Sequence, residues 1–456
     1  MLVPLIVACA LFMENMDSTV LSTSLPLIAQ DLGESPIALK LALTSYLVSL
    51  AVFIPISGWI ADRFGTRNVF RSAIALFVLG SVLCGISSTL GELVAARFLQ
   101  GVGGAMMVPV GRLALLKSVE KRDMVKALNT LTIPALIGPV LGPPLGGFIT
   151  TYWHWRWIFF INVPVGVVGF VLATKFIPDL FEDNVPPLDV IGFVMSGVGL
   201  SSLMLGLSTL GRHLIPTPVS IGLAVLGAAL LWAYVVHARR TAHPLLRLDL
   251  FKVPTFRAGV VGGTLFRIGV GATPFLLPLM LQLGFGMSPV QSGLLTFVSA
   301  AGAMFMKTIS LRILQRFGFR TVLLANAAIA SATIGGYGLF TAETPHAVIL
   351  CVLLFGGCFR SLQFTSLNAI SYADIEPSRM SQATSLASVA QQVSLSTGIT
   401  IGAAALQTSI ALQGHAHVAA SDFPWAFLVV ALISVSSIFS IARLSRNAGS
   451  ELARRA

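Results

Sequence analysis

Apolar runs long enough to cross a membrane recur along the whole chain, separated by short turns that collect the charges. A hydrocarbon core about 30 Å thick takes roughly 20 apolar residues of helix to span. In lipid only helices and closed barrels satisfy their own backbone. These runs are too long and too evenly apolar for the roughly 10-residue alternating strands of a barrel. The pattern predicts an all-α polytopic membrane protein with fourteen spanning helices, at about residues 2–28, 38–60, 70–89, 92–116, 126–150, 157–177, 189–210, 217–237, 257–283, 290–311, 321–341, 347–371, 383–411 and 423–443.

Charge adds an orientation. Of 29 Lys and Arg, 21 fall in turns on the side of the N-terminus, among them Arg63, Arg67 and Arg71, Lys117, Lys121, Arg122 and Lys126, and Arg446, Arg454 and Arg455. Only Lys40, Arg156 and Arg212 fall in the opposite turns. The positive-inside rule then places both termini in the cytoplasm. The net charge of +11 therefore needs no nucleic-acid partner: the basic residues orient the chain and meet anionic lipid. Hydrophobic residues make up 55% and charged residues 10%, which leaves no soluble domain, and no cleavable leader is expected. Cys9, Cys84, Cys351 and Cys358 all fall in apolar helix and are expected to be small buried hydrophobes.

Against this background two acids stand out. Glu14 and Asp17 lie inside the first span, where a carboxylate costs roughly 2.5–3.5 kcal/mol. Their i, i+3 spacing puts both on one helix face. A small acidic spot in an apolar body points to a proton-coupled carrier.

The chain also repeats itself. Arg63-Phe-Gly65-Thr-Arg67 follows the second span, and Arg316-Phe-Gly-Phe-Arg320 follows the tenth, with Gln315 where the first copy has Asp62. If the seventh and eighth spans are an insertion, each copy follows the second helix of a six-helix half. The domains predicted on this basis are an N-terminal six-helix bundle over 1–178, two accessory helices and a cytoplasmic linker over 179–256, and a C-terminal six-helix bundle over 257–456.

The first copy, with Gly58 and Asp62, resembles the loop signature of the major facilitator superfamily. Further motifs of that family follow in order. Arg97-Phe-Leu-Gln100-Gly101 resembles its second motif, and Gly138-Pro139-Val-Leu-Gly142-Pro143-Pro144-Leu-Gly146-Gly147 resembles its antiporter motif. Met16-Asp17-Ser-Thr19-Val20 and Trp155-Arg156-Trp157-Ile-Phe-Phe-Ile-Asn162-Val-Pro164 resemble signatures of the fourteen-span drug:proton antiporter branch, whose EmrB/QacA-type and MdtD-type exporters the chain looks closest to. Asp17 matches the acidic position of that branch; Glu14 lies outside any motif.

The resemblance implies roles residue by residue. Asp17, with Glu14 beside it and Arg97 biasing it, would couple protons to transport. Gly58, Asp62, Arg63, Gly65 and Arg67 would form a latch, Asp62 capping a neighbouring helix while Arg63 and Arg67 pair across the two halves. Gly65 itself is expected at positive φ. Gly138, Gly142 and Gly146 recur every four residues and predict close backbone approach, and Pro139 and Pro143 with Gly147 predict a hinge or seal.

Arg267 and Arg360 lie deep in the ninth and twelfth spans, whereas Arg112 and Lys307 sit nearer helix ends and can snorkel. With Arg112, Gln100, Phe266 and Phe364 they are assigned to a substrate cavity. Deep cations outnumber the two acids there.

The expected function is proton-coupled export of small molecules, multidrug efflux first, by alternating access. An exporter of organic anions or metal chelates is the alternative. No phosphate-binding Gly-rich loop, metal cluster or nucleophile–base pair is present in the sequence, so neither an enzyme nor a cofactor is expected beyond the proton gradient. The chain is expected to act as a monomer in the bilayer on protons and a small-molecule substrate, with a periplasmic partner left open.

Overall fold

The computed structural model describes residues 2–118, 124–182, 185, 187–210, 215–376, 379–415, 417–445 and 448–449; for residues 2, 116–118 and 124–136 it gives the backbone alone. Lys121, Arg122, Arg212, Arg446, Arg454 and Arg455 lie outside the described residues, as do the side chains of Lys117 and Lys126.

The described residues contain helices and turns and no strand. The first eight membrane helices are α1 Leu2–Asp31, α2 Lys40–Phe64, α3 Thr66–Ile86, α4 Leu90–Ser118, α5 Met124–Tyr152, α6 Trp157–Phe176, α7 Val190–Thr209 and α8 Thr217–Arg240. Six more follow: α9 Pro254–Gly284, α10 Pro289–Phe317, α11 Phe319–Tyr337, α12 His346–Tyr372, α13 Met380–Gln413 and α14 Ala420–Ile441. Thirteen of these are long and apolar enough to cross a bilayer, and the 29-residue α5 makes the fourteenth. The protein is a multi-pass membrane protein.

The chain divides into two compact units, residues 1–246 and 247–456. One pairing scheme builds both. In the first unit α1 packs on α5, α4 on α2 and α3, and α6 on α3 and α1. In the second unit α9 packs on α13, α12 on α10 and α11, and α14 on α11 and α9. Each unit is thus a six-helix set in which the same ordinal helices meet. The helices α7 and α8 pair with each other inside the first unit, and α7 also rests on α2. Only 17% of the apolar stretch of α8 is buried, less than in the other spans apart from α5, so most of its surface is free to meet lipid.

Glycine sets the closest approaches. A Cβ at Gly138 would meet the Phe12 carbonyl oxygen at 3.0 Å, one at Gly142 would collide with the Thr19 hydroxyl, and one at Gly146 would meet the Val20 carbonyl oxygen at 2.5 Å. The glycine stripe of α5 therefore seats this helix directly against the acid-bearing α1. Helix α5 continues through Pro139, Pro143 and Pro144. Helix α6 is interrupted at Ile161, three residues before Pro164, whose nitrogen cannot bond the Phe160 carbonyl.

Both copies of the repeated turn close the same way. Gly65 (φ 88°) and Gly318 (φ 75°) each take a conformation that other residues resist. Each donates its N–H to the carbonyl four residues back, Ala61 or Leu314. Each also begins the next helix. All four cysteines are free; Cys84 and Cys358 are buried as expected, Cys9 is half-buried, and Cys351 is instead exposed on α12, as are Leu354 and Phe355 nearby.

Candidate functional site

The first unit is built around a buried carboxylate. Asp17 is 3% exposed, and its Oδ2 accepts from Arg97 Nη1 at 2.5 Å. Its Oδ1 accepts from Gln100 Nε2 at 2.9 Å and from Asn162 Nδ2 at 2.8 Å. Ser81 Oγ accepts from both amides, at 2.7 Å and 3.1 Å, and ties α3 into the cluster. Arg97, 1% exposed, also donates to Gln100 Oε1 at 2.5 Å and to the Ala42 carbonyl at 3.4 Å. Its guanidinium lies 4.4 Å from the centre of the Tyr46 ring. Five helices thus converge on one ion pair. A pair this deep depends on the hydrogen bonds that surround it, three to the carboxylate and two more from the guanidinium.

Local sequence explains how these groups meet. Arg97 and Gln100 are one turn apart on α4 and so share a face. Gly101 and Gly103 clear the way: a Cβ on the first would meet Ser49 and Tyr46, and one on the second would meet the Phe77 backbone at 2.6 Å. Gln100 was expected at a substrate cavity; it is fully buried and bonded to Asp17 instead. Asn162, Ser81 and Tyr46 carried no assignment. Asn162 had a signal, since it sits inside the Trp155-to-Pro164 motif and just after the interruption of α6.

Glu14, one turn before Asp17, is half-buried, and its Oε2 is buried without a hydrogen-bond partner. Arg112, on the same helix as Arg97, is exposed. No ion pair joins Glu14 to Arg112 among the described residues.

At the repeated turn, Arg67 pairs at 3.3 Å with Asp179, a residue of its own unit. Asn68 Nδ2 donates to the same carboxylate at 2.9 Å. The chain leaving α6 lies on this turn: Thr66 N donates to the Leu180 carbonyl at 3.2 Å, and Glu182 N donates to the Asp62 carbonyl at 3.1 Å. A Cβ on Gly65 would strike Asp179 and Phe181. In the second copy Arg320 reaches the chain leaving α14, donating to the Ala442 carbonyl at 3.0 Å. Both arginines therefore hold the exit of the sixth helix of their own unit. Arg63 is exposed and Gly58 half-buried.

Among the described residues, the second unit brings no acid to the matching arginine. Arg360-Ser-Leu-Gln363 on α12 repeats Arg97-Phe-Leu-Gln100 on α4, a likeness of spacing that the motif reading passed over. Gln363 is fully buried and bonds Leu323 and Asn326 of α11, as Gln100 bonds Ser81 of α3. No carboxylate meets Arg360 among the described residues. Arg267, 3% exposed, donates Nη2 to Asn368 Oδ1 at 2.7 Å and lies 5.3 Å from the Phe364 ring centre, while its Nε has no partner. Phe266 is buried edge-on to Phe364 at 6.2 Å. Lys307 is exposed, consistent with snorkelling. Asn368 carried no sequence assignment, and no motif marks it.

Comparison with known proteins gives a consistent picture. The profile of the Major Facilitator Superfamily matches residues 7–399 and 259–454. The MdtD protein of Escherichia fergusonii, named for multidrug resistance, is 39% identical over 446 residues, covering 96% of this chain and 93% of the relative. That of Escherichia coli K12 shows the same identity and coverage. Among solved structures, a D-xylose–proton symporter aligns with a TM-score of 0.69 at 15% identity, covering 98% of both chains. The human organic anion transporter MFSD10 aligns at 0.60 and 13% identity, covering 96% of this chain and 99% of its own. At these identities the two structures speak for the fold alone.

Proposed function

Because the chain belongs to the major facilitator superfamily and is a transporter rather than an enzyme, we propose that it exports small molecules, multidrug efflux first, in exchange for protons, by alternating access between its two halves. The observation that carries this reading is the pair of acids one turn apart within the first span: Asp17, 3% exposed and held by Arg97, and Glu14, whose Oε2 is buried without a hydrogen-bond partner. A charge at that depth is costly and earns its place through function. The 39% identity to proteins named for multidrug resistance supports the cargo class. The bacterial inner membrane with both termini in the cytoplasm, a monomeric state and dependence on the proton gradient alone belong to the same proposal.

A second reading has an observation of its own. Arg267 keeps a buried Nε without a partner, and Arg360 meets no carboxylate among the described residues. Guanidinium groups so placed suit carboxylates or anionic metal chelates.

Reconstituted vesicles with an imposed pH gradient decide among these. Tetraphenylphosphonium, salicylate and ferric nitrilotriacetate would be offered as a lipophilic cation, an organic anion and a metal chelate. Gradient-driven flux of the first supports drug export, and flux of either of the others supports the anion reading. Flux of any of them that ignores the gradient refutes proton coupling.

A further inference from the structure

We propose that Glu14 is the carboxyl that takes up and releases the coupling proton, and that Asp17 is the positioning residue that holds Arg97 in place. This rests on the proton-coupled reading above and reverses the ranking that the family motif suggests.

An exchanging carboxyl needs an acceptor oxygen that a proton can occupy without dismantling its surroundings. Asp17 does not offer one. Its two oxygens receive Arg97, Gln100 and Asn162, and Arg97 is fixed in turn by Gln100, the Ala42 carbonyl and the Tyr46 face. Protonating Asp17 would leave a guanidinium without its counter-charge in the interior, which is the costly way to break a buried pair.

Glu14 sits one turn away on the same face with the opposite character. Its Oε2 is buried and accepts no hydrogen bond. Among the described residues, the charged and titratable groups that act on it are Asp17 on its own helix, Arg112 on α4 and Tyr46 on α2. Among described side chains, α5 brings no charged residue to α1, and α6 brings only Lys175 near its far end. Arg112 is exposed and forms no ion pair with Glu14, so its charge acts on the carboxyl without locking it. The step is a plain protonation. When the site is empty of cargo, Oε2 takes a proton from hydronium, one O–H bond forming as the other breaks and water leaving; when cargo binds, the new bond breaks, the electron pair stays on the carboxylate and the proton returns to water.

The test begins without any substrate. Infrared difference spectra of the purified full-length protein would be recorded as the pH is moved across neutrality, alongside thermal unfolding in the same detergent. The expected result is a protonated-carboxyl C=O band that rises as the pH falls, is missing in Glu14→Gln and persists in Asp17→Asn. Asp17→Asn should lower the unfolding temperature by several degrees, while Glu14→Gln leaves it in place. A band that survives Glu14→Gln, or that vanishes only in Asp17→Asn, overturns the assignment. In vesicles, Glu14→Gln should lose gradient-driven flux of whichever probe the wild type moves and keep gradient-free exchange of labelled for unlabelled probe. Wild-type flux that ignores the gradient would sink the proton-coupled reading itself, whereas driven flux surviving in Glu14→Gln sinks the inference alone.

Discussion

At the scale of single residues, the Asp17–Arg97 pair is an obligate partnership. Removing one member leaves the other charged and buried, at a cost of about 3–5 kcal/mol, whereas removing both leaves a smaller penalty. Asp17→Ala and Arg97→Ala are each expected to lower the unfolding temperature markedly. The double variant should lose clearly less than the sum of the two, because residues in contact do not act additively. Thermal unfolding in detergent measures this cycle, and strict additivity would show that the pair is not coupled. The sequence disclosed this site only in part. Asp17 and Arg97 were legible because charge in lipid and motif spacing both single them out, whereas Gln100, marked by the motif, was assigned to a substrate cavity. Asn162 and Ser81 were not, because a neutral polar residue in a membrane helix has many ways to be satisfied and only packing chooses among them.

Among elements, the two copies of the repeated turn make an internal comparison. Both Gly65 and Gly318 hold a positive φ with an extended ψ, so alanine at either is expected to cost about 1–3 kcal/mol from backbone strain. Gly65 is also pressed by Asp179 and Phe181, whereas nothing lies within 4 Å of a Cβ at Gly318. Gly65→Ala should therefore destabilise more than Gly318→Ala, and equal losses in unfolding experiments would mean that the chain leaving α6 does not rest on the turn. A second element-level contact joins the accessory pair to the chain that follows it. Asp189 caps α7 by accepting from Gly192 N at 2.8 Å, and it also accepts from His237 and from Leu245 N. Burial pushes its carboxyl up, but these hydrogen bonds outweigh burial and hold it below the usual carboxylate range. A lowered value means that the contribution is complete above the unfolded pKa of about 3.9 and is lost as the pH falls through the folded one. Asp189→Asn should be less stable than the wild type at neutral pH, with the gap closing in acid below about pH 4. Unfolding temperatures measured across that range check the sign.

For the whole molecule, the placement of basic residues predicts sidedness. In a background without Cys9, Cys84, Cys351 and Cys358, a cysteine at Arg71 should react with an impermeant maleimide only from the cytoplasm, and one at Gly91 only from outside. Labelling of both from one side would refute the orientation.

The number of spans, the six-helix repeat and the location of the acidic face followed from sequence alone. The physical reason is that a bilayer enforces helix length and excludes charge so strongly that hydropathy and the rare ionised residues report directly on structure. Which groups surround each charge was decided only by tertiary packing. Arg97 and Arg360 open the same Arg-x-Leu-Gln pattern, yet one meets a carboxylate and the other meets none among the described residues. Glu14 and Asp17 lie one turn apart on the same helix, yet Asp17 receives three donors while Glu14 keeps a buried oxygen without any. Sequence spacing determines which residues share a face of one helix. What that face meets depends on the neighbouring helices, and glycines such as Gly101, Gly142 and Gly146 let them approach closely enough to meet it.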